Sequence, residues 1–225
     1  MSQSPPAAAS AGAAASADPK ARPAGAPKPA LRRQFVSFYG LKVAPAWRAL
    51  PAAEKARGRE GFIAACEAFK AEGGILVPYS LVGVRGDVDV MLWRIHYELE
   101  PLQRHGAALA KSPMGPYLTV PYSLMGMTKR STYVDHIHPG HEDERLTVVP
   151  GTQKYCFVYP FVKTREWYGL DDQEFVVAFE TDRPDDFLDL VQDLRDTAAS
   201  RYTLRDTPTF TCVRGTYESV LDLLG

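Results

Sequence analysis

The sequence predicts an α+β protein made of two tandem ferredoxin-like repeats, of which the second is incomplete. Elements that read β-α-β-β-α-β fill residues 34–127, and a shorter run of the same kind follows from residue 155. Short strands that alternate with helices in this order are compatible with few other folds. We therefore predict a disordered Ala/Pro-rich tail (residues 1–30), a first repeat with its connecting loop (31–150) and a second, truncated repeat (151–225).

Composition excludes several classes of protein. The 225 residues carry a net charge of −1, which argues against nucleic-acid binding. Cys66, Cys156 and Cys212 are widely spaced and form no C-x-x-C pair, so neither a disulfide framework nor a zinc site is indicated. No apolar run approaches the roughly 18 residues of a membrane span, and no secretory signal is visible. These features predict a cytoplasmic protein.

The first repeat is predicted from hydrophobic periodicity and from Pro and Gly breakers. Its Gly73-Gly74 pair ends the first helix, and Trp47 and Trp93 are expected in the core. Arg94 could reach a ligand, but at an alternating strand position it is expected to face solvent. The predicted elements are strand Gln34–Tyr39, helix Pro45–Glu72, strands Ile75–Val84 and Val88–His96, a helix after Pro101, and strand Tyr117–Met127.

The second repeat lacks room for two elements. From first to third strand the first repeat uses about 50 residues and the second only about 20, too few for a helix and a further strand. We expect the first and third strands to lie parallel, joined by a nearly extended segment. The predicted elements are strands Tyr155–Val162, Glu174–Glu180 and Thr209–Val213, helix Pro184–Thr197 and a final helix Tyr217–Leu224.

The stretch Lys154–Tyr168 carries the first candidate site. Its β-branched and aromatic residues predict a largely buried strand, and Pro160 indicates an edge or a bulge. Lys163 and Arg165 bring cations close to Tyr159 and Trp167, which suits a flat, anionic, mostly apolar ligand. The alternative is a core strand whose Lys and Arg side chains extend to water.

A second candidate site is the loop between the repeats. His136, His138 and His141 stand among four carboxylates, and H-x-H spacing can bind zinc, nickel or copper. The alternative is a solvated connection, which the Pro139-Gly140 turn favours.

Several long runs resemble the chlorite dismutase family, and most closely its coproheme decarboxylase branch, also called haem-dependent peroxidase-like proteins. The resemblance covers almost everything after the tail. Its runs are D-V-D-V-M-L-W-R-I-H (87–96), Y-S-L-M-G-M-T-K-R-S-T-Y (122–133), K-Y-C-F-V-Y-P-F-V-K-T-R-E-W-Y (154–168), G-L-D-D-Q-E-F-V-V-A-F-E-T-D (169–182) and R-Y-T-L-R-D-T-P-T-F-T-C (201–212).

The resemblance implies a fold, a cofactor and a reaction. The fold is the dimeric α/β-barrel type, usually a pentamer, and the second repeat binds haem b or coproheme. The reaction is oxidative decarboxylation of coproheme with hydrogen peroxide. In the Y-P-x-x-K motif the Tyr, here Tyr159, carries the radical, and the Lys, here Lys163, steers the propionate. An upstream Arg binds another propionate, and Arg145 is the candidate.

One expected part has no counterpart. The family's proximal His lies on a helix after W-Y, which is the segment missing here, and all five histidines precede Tyr155. We therefore expect this chain to bind haem weakly or not at all, and to be less stable than a full-length relative. Three hypotheses follow: a coproheme decarboxylase-type oxidoreductase, a haem-free structural or regulatory family member in a homo-oligomer, or a metal-binding module.

Overall fold

A single antiparallel sheet curls through both repeats. This computed structural model describes residues 32–129, 146–164 and 171–225, and Arg32–Gly225 clusters as one compact unit. The strands are β1 (Phe35–Val43), β2 (Ile75–Ser80), β3 (Val90–His96), β4 (Leu118–Met127), β5 (Tyr155–Lys163), β6 (Phe175–Thr181), β7 (Thr203–Arg205) and β8 (Phe210–Arg214). Their order is β4-β1-β3-β2-β8-β5-β6, and β7 pairs with β5. The predicted α+β class is confirmed.

The helices cover the outer face of the sheet. They are α1 (Ala52–Ala71), α2 (Glu100–Lys111), α3 (Pro184–Arg195) and α4 (Tyr217–Asp222). Gly73 ends α1 because its φ of +91° is a left-handed conformation that glycine adopts without strain. In the middle of α1, Gly58 leaves room for the Trp47 ring, which a Cβ atom would displace. None of the helices in the described ranges is long and apolar enough to cross a membrane.

The first repeat is complete. Its sheet has the order β4-β1-β3-β2, and α1 and α2 pack on one face of it. The predicted four strands and two helices are confirmed, with end points that differ by a few residues. Trp47 and Trp93 are buried as expected. The prediction for Arg94 is wrong: it faces the layer of α2, which covers that face of β3, and only 4% of it is exposed.

The second repeat is shorter than the first. Its sheet order β8-β5-β6 corresponds to strands four, one and three of the first repeat, and α3 corresponds to α2. No counterpart of α1 or β2 fits between Lys163 and Phe175, as predicted for an incomplete repeat. The segment 165–170 lies outside the described residues, as does the predicted tail.

The predicted parallel pairing of the first and third strands is wrong. β5 and β6 pair antiparallel, from Tyr155 opposite Thr181 to Phe161 opposite Phe175, and β1 and β3 pair in the same sense. A short connection is sufficient between antiparallel neighbours, whereas parallel neighbours need a long crossover. The direction of β6 relative to β5 is therefore the same whether or not a helix and a strand lie between them in the chain.

The interpretation of Pro160 as an edge or bulge residue is correct only in part: β5 lies inside the sheet between β8 and β6, but Pro160 is not a regular ladder position. On the β8 side the ladder ends at Val158 opposite Phe210, and pairing with β7 begins at Val162. Pro160 therefore falls in the gap between two partner strands, where no ladder hydrogen bond needs its absent N–H.

Three apolar clusters divide the molecule. The outer core of the first repeat joins its sheet to α1, α2 and α4. The inner core joins the opposite faces of both repeats, with Met91 and Trp93 from the first and Val158 and Phe210 from the second. The outer core of the second repeat is smaller and consists of buried Phe157, Tyr159 and Phe187 with partly buried neighbours. The second repeat lacks counterparts of α1 and β2, and this outer core is correspondingly thin.

The two ends of the sheet differ. At β4 the backbone N–H of Met125 donates to Asp171 Oδ2 (3.0 Å) and its carbonyl accepts from Gln173 Nε2 (3.0 Å). β6 pairs only with β5 among the described strands, and its side chains are mostly half-exposed. An unpaired edge with apolar side chains favours pairing with another chain.

We predict concentration-dependent self-association through β6. Phe175, on this strand, is 38% exposed, and Phe175→Lys should reduce the association because a charge on an edge strand opposes strand pairing. Leu188→Lys is the matched control, since Leu188 is exposed on α3 away from a strand edge. Sedimentation velocity over a concentration series measures the effect. A parent chain that stays monomeric throughout contradicts the prediction.

Candidate functional site

Alternation along β5 sends two sets of side chains to opposite faces. Cys156 and Val158 enter the inner core, whereas Phe157 and Tyr159 enter the outer core of the second repeat. Lys163 is four residues from Tyr159, so the period of two puts both on the outer face. The structure therefore places the two residues of the Y-P-x-x-K motif that the sequence analysis selected on one face of β5, with Phe161 between them.

Tyr159 is a buried phenol whose hydroxyl lacks a partner. The residue is 3% exposed, and its oxygen makes no hydrogen bond to the described residues. Its ring lies 5.0 Å from that of Phe161 and edge-on to Phe187 at 5.4 Å. Burial, with a smaller contribution from the Asp206 carboxylate, raises the pKa of the phenol above its ordinary value. Tyr159 therefore keeps its proton at neutral pH.

Lys163 is a cation held by neutral groups. Its ammonium donates to Thr203 Oγ1 on β7 at 2.7 Å and lies 5.1 Å from the ring centre of Phe161 and 5.4 Å from that of Phe175. Within the described ranges no carboxylate lies within 4 Å of this ammonium. The nearby Glu174 carboxylate accepts instead from the Lys163 backbone N–H at 2.6 Å. Among the described residues, the Lys163 ammonium is therefore held by a hydroxyl and two aromatic rings.

Helix α3 closes the space above Tyr159. Phe187, at its first turn, stacks on Phe157 with ring centres 4.1 Å apart and an interplanar angle of 6°. Asp185 and Asp186 in that turn are favoured by the positive end of the helix dipole, and Asp186 also accepts from Thr181 Oγ1 at 2.9 Å. A ligand that reaches the phenol must therefore displace Phe187 or approach from the Phe161–Phe175 end.

Some of the predicted site residues lie outside the described residues. These are Arg145, Arg165, Trp167 and the histidine loop of His136, His138 and His141. No group of three His, Cys, Asp or Glu side chains within the described ranges could hold a metal ion.

The two described histidines belong to the first repeat. Both ring nitrogens of His96 lie within hydrogen-bonding distance of backbone groups of Glu72 and Glu98. His105 is buried against Phe69, and burial, with the nearby Arg94 cation, lowers its pKa to about 3. Neither stands on the outer face of the second repeat, so the described part of that face offers no imidazole to an iron atom.

Thr203 and Phe187 were not recognised as site residues from the sequence. Thr203 belongs to a three-residue strand, which is too short to show a period. Phe187 lies on the apolar face of α3, but apolar spacing along a helix does not reveal which strand residue a side chain covers. Thr203 is a site residue because it lies opposite Lys163 in the β5–β7 ladder, and the sequence alone does not show that pairing.

Comparison with known proteins identifies the family. The family model described as Chlorite dismutase matches residues 57–170 and 168–215. The chain therefore belongs to the chlorite dismutase family. The two matched segments meet at residues 168–170, inside the connection where the second repeat lacks a helix and a strand.

The relatives include a coproheme decarboxylase and a chlorite dismutase, the two kinds of enzyme that the sequence resembles. The chain is 27% identical over 177 residues to a coproheme decarboxylase of Mycolicibacterium smegmatis, covering 64% of this chain and 74% of the relative. It is 26% identical over 151 residues to a chlorite dismutase of Ideonella dechloratans, covering 65% of this chain and about half (52%) of the relative. These relatives support a haem-binding oxidoreductase in general terms.

A solved structure supports the fold. Chlorite dismutase from Candidatus Nitrospira defluvii, in complex with imidazole, superposes with a TM-score of 0.75 at 22% identity, covering 84% of this chain and 94% of that structure. At this identity the likeness establishes the fold alone.

We predict that Tyr159→Phe stabilises the protein. The change removes a buried hydroxyl without a partner, which costs about 1–3 kcal/mol when left unsatisfied, and the ring still packs. Chemical denaturation measures the free energy of unfolding.

Tyr122→Phe is the matched control, because its hydroxyl donates to Asp87 Oδ2 at 2.8 Å. This second variant should lose about 1 kcal/mol. If Tyr159→Phe were destabilised as much as the control, the Tyr159 hydroxyl would have a partner in solution.

Proposed function

We propose that the second repeat binds a carboxylate-bearing iron porphyrin, coproheme or haem b, at the Tyr159–Lys163 face. The reaction proposed with it is oxidative decarboxylation of coproheme by hydrogen peroxide, as the name of the M. smegmatis relative suggests. The observation that carries the proposal is that a partnerless buried phenol and a cation with no acidic partner in the described structure lie on the same face of one strand.

The surroundings of Lys163 fit the carboxylate of this ligand. Lys163 donates to the neutral oxygen of Thr203, and a porphyrin carboxylate would offer a stronger, charge-assisted hydrogen bond in its place. The rings of Phe161 and Phe175 stack with centres 4.7 Å apart beside this ammonium and provide an apolar wall. Together they suit a flat ligand with an acidic edge.

The phenolic part also fits. The raised pKa keeps a proton on Tyr159 Oη, and the surrounding aromatic rings exclude water from it. Peroxide would be the oxidant, a bound iron porphyrin would carry its oxidising equivalents, and a rigid, dry phenol is a side chain that such chemistry can oxidise.

The iron-binding part does not fit among the described residues, since neither described histidine stands on this face. Binding would then depend on the carboxylate contact and on ring packing, without the coordination bond that fixes iron affinity and redox potential. We therefore expect weaker porphyrin binding than in relatives that keep a proximal histidine.

A haem-free structural or regulatory role is the second candidate. The specific observation in its favour is Phe187, which fills the space over Tyr159 with the chain's own side chain. In that case Tyr159 is a core residue, and the second repeat serves assembly with other copies. The metal-binding alternative depends on His136, His138 and His141, outside the described residues.

We predict that Lys163→Gln weakens coproheme binding about tenfold, because a charge-assisted hydrogen bond contributes about 1.5–3 kcal/mol. Absorbance titration of the purified chain with coproheme measures the affinity. Lys154→Gln is the matched control, since Lys154 is an exposed cation beside the opposite end of β5. Equal losses in both variants would exclude a specific role for Lys163.

We predict that Tyr159→Phe leaves coproheme affinity unchanged but abolishes decarboxylation, since only the oxidisable hydroxyl is lost. Chromatography of the porphyrin products after addition of peroxide measures the reaction. Equal product from the parent and the Phe variant would exclude Tyr159 as the redox residue. A parent chain without any spectral change on addition of coproheme would favour the haem-free role.

A further inference from the structure

A cavity of about 520 Å³ lies in the first repeat and is lined by residues of β1, β3, β4 and α2. Its floor is the outer face of β3, β1 and β4, where Arg94, Ser37 and Met125 stand in one row across the three strands. Helix α2 forms its wall, with Leu102 buried and Gly106 half-buried. The volume is within the range of about 300–1,000 Å³ typical of small-molecule sites.

The cavity contains a buried cation. Arg94 is 4% exposed, and its guanidinium donates to Ser37 Oγ at 2.8 Å and to the Leu102 carbonyl at 3.4 Å. The same group lies 3.9 Å above the ring centre of Tyr39. Its Nε has no hydrogen-bond partner in the described structure. The side chain is therefore fixed in position but not fully satisfied.

No negative charge compensates this cation within the described ranges, where no carboxylate lies within 4 Å of it. Burial raises the pKa of Cys66 to about 12, and burial with the Arg94 charge lowers that of His105 to about 3, so both neighbours are neutral at pH 7. Arg94 itself has a pKa lowered by burial to about 10 and stays charged. A buried charge without a counter-ion is costly.

The rest of the lining defines what the cavity accepts. Leu99, Leu102 and Met125 offer apolar surface, and the Ser37 and Ser123 hydroxyls offer hydrogen bonds. Glu100 lies at the rim, exposed to water that screens its charge. We propose that this cavity binds a small organic carboxylate, whose carboxylate pairs with Arg94 and Ser37 while its apolar part lies against Leu99, Leu102 and Met125.

Gly106 supplies a way to close the cavity without touching Arg94. A Cβ at this position would meet the Tyr39 hydroxyl at 3.6 Å, an ordinary contact, so a side chain is tolerated there. Leucine is a good helix former and would extend into the cavity. Gly106→Leu should therefore fold and block the ligand.

Hexanoate is the probe, titrated calorimetrically into the full chain, with hexanamide as its neutral analogue of the same shape. We expect saturable hexanoate binding and none of hexanamide. Arg94→Lys should weaken hexanoate binding about tenfold, because the ammonium lacks the planar fork of guanidinium, and Gly106→Leu should abolish it. Arg104→Gln, at an exposed α2 arginine paired with Glu72, is the matched control and should bind as the parent does.

Three results would overturn the proposal. The first is no saturable hexanoate binding to the parent chain, and the second is equal binding of hexanamide. The third is undiminished binding by a folded Gly106→Leu variant, with folding checked by circular dichroism. Inorganic phosphate that bound as tightly as hexanoate would make this a general anion site and would also contradict the assignment to organic carboxylates.

Discussion

The antiparallel direction of β5 and β6 is the constraint on which the second repeat depends. Since the two strands run in opposite senses and pair over seven positions from Tyr155 to Phe161, a short connection between them suffices. A helix and a strand inserted between them can therefore be present or absent while the order β8-β5-β6 is retained. The sheet survives, but its outer layer is reduced to α3 and its last strand is left at an edge.

The same loss shapes the candidate site. With α3 as its cover, the outer core of the second repeat contains three buried residues among those described, and Lys163 and Phe175 stand at its open end. In the first repeat, α2 leaves an opening in a corresponding outer layer, above Arg94. Each opening contains a cation held by a hydroxyl, Thr203 for Lys163 and Ser37 for Arg94, with no carboxylate partner in the described structure. This similarity favours anionic ligands in both repeats.

Periodicity and breakers predicted most of the fold. Gly73 and Pro184 marked helix ends, and alternation located all the long strands. Strand direction could not be predicted in this way, because period two is the same for parallel and antiparallel pairs. Burial of Arg94 was missed because a charged residue at an alternating position favours solvent in general, whereas α2 covers this one. The three-residue β7 was missed because its length shows no pattern.

Cross-linking tests the antiparallel pairing of β5 with β6 most directly. Phe161 and Phe175 are register partners whose rings stack at 4.7 Å, so cysteines at both positions are expected to form an intramolecular disulfide under mild oxidation. The described cysteines are buried and should not compete. Peptide mapping should find the bond in Phe161→Cys/Phe175→Cys but not in Phe161→Cys/Val176→Cys, in which the second side chain points to the opposite face. A bond in the second pair and none in the first would contradict the account.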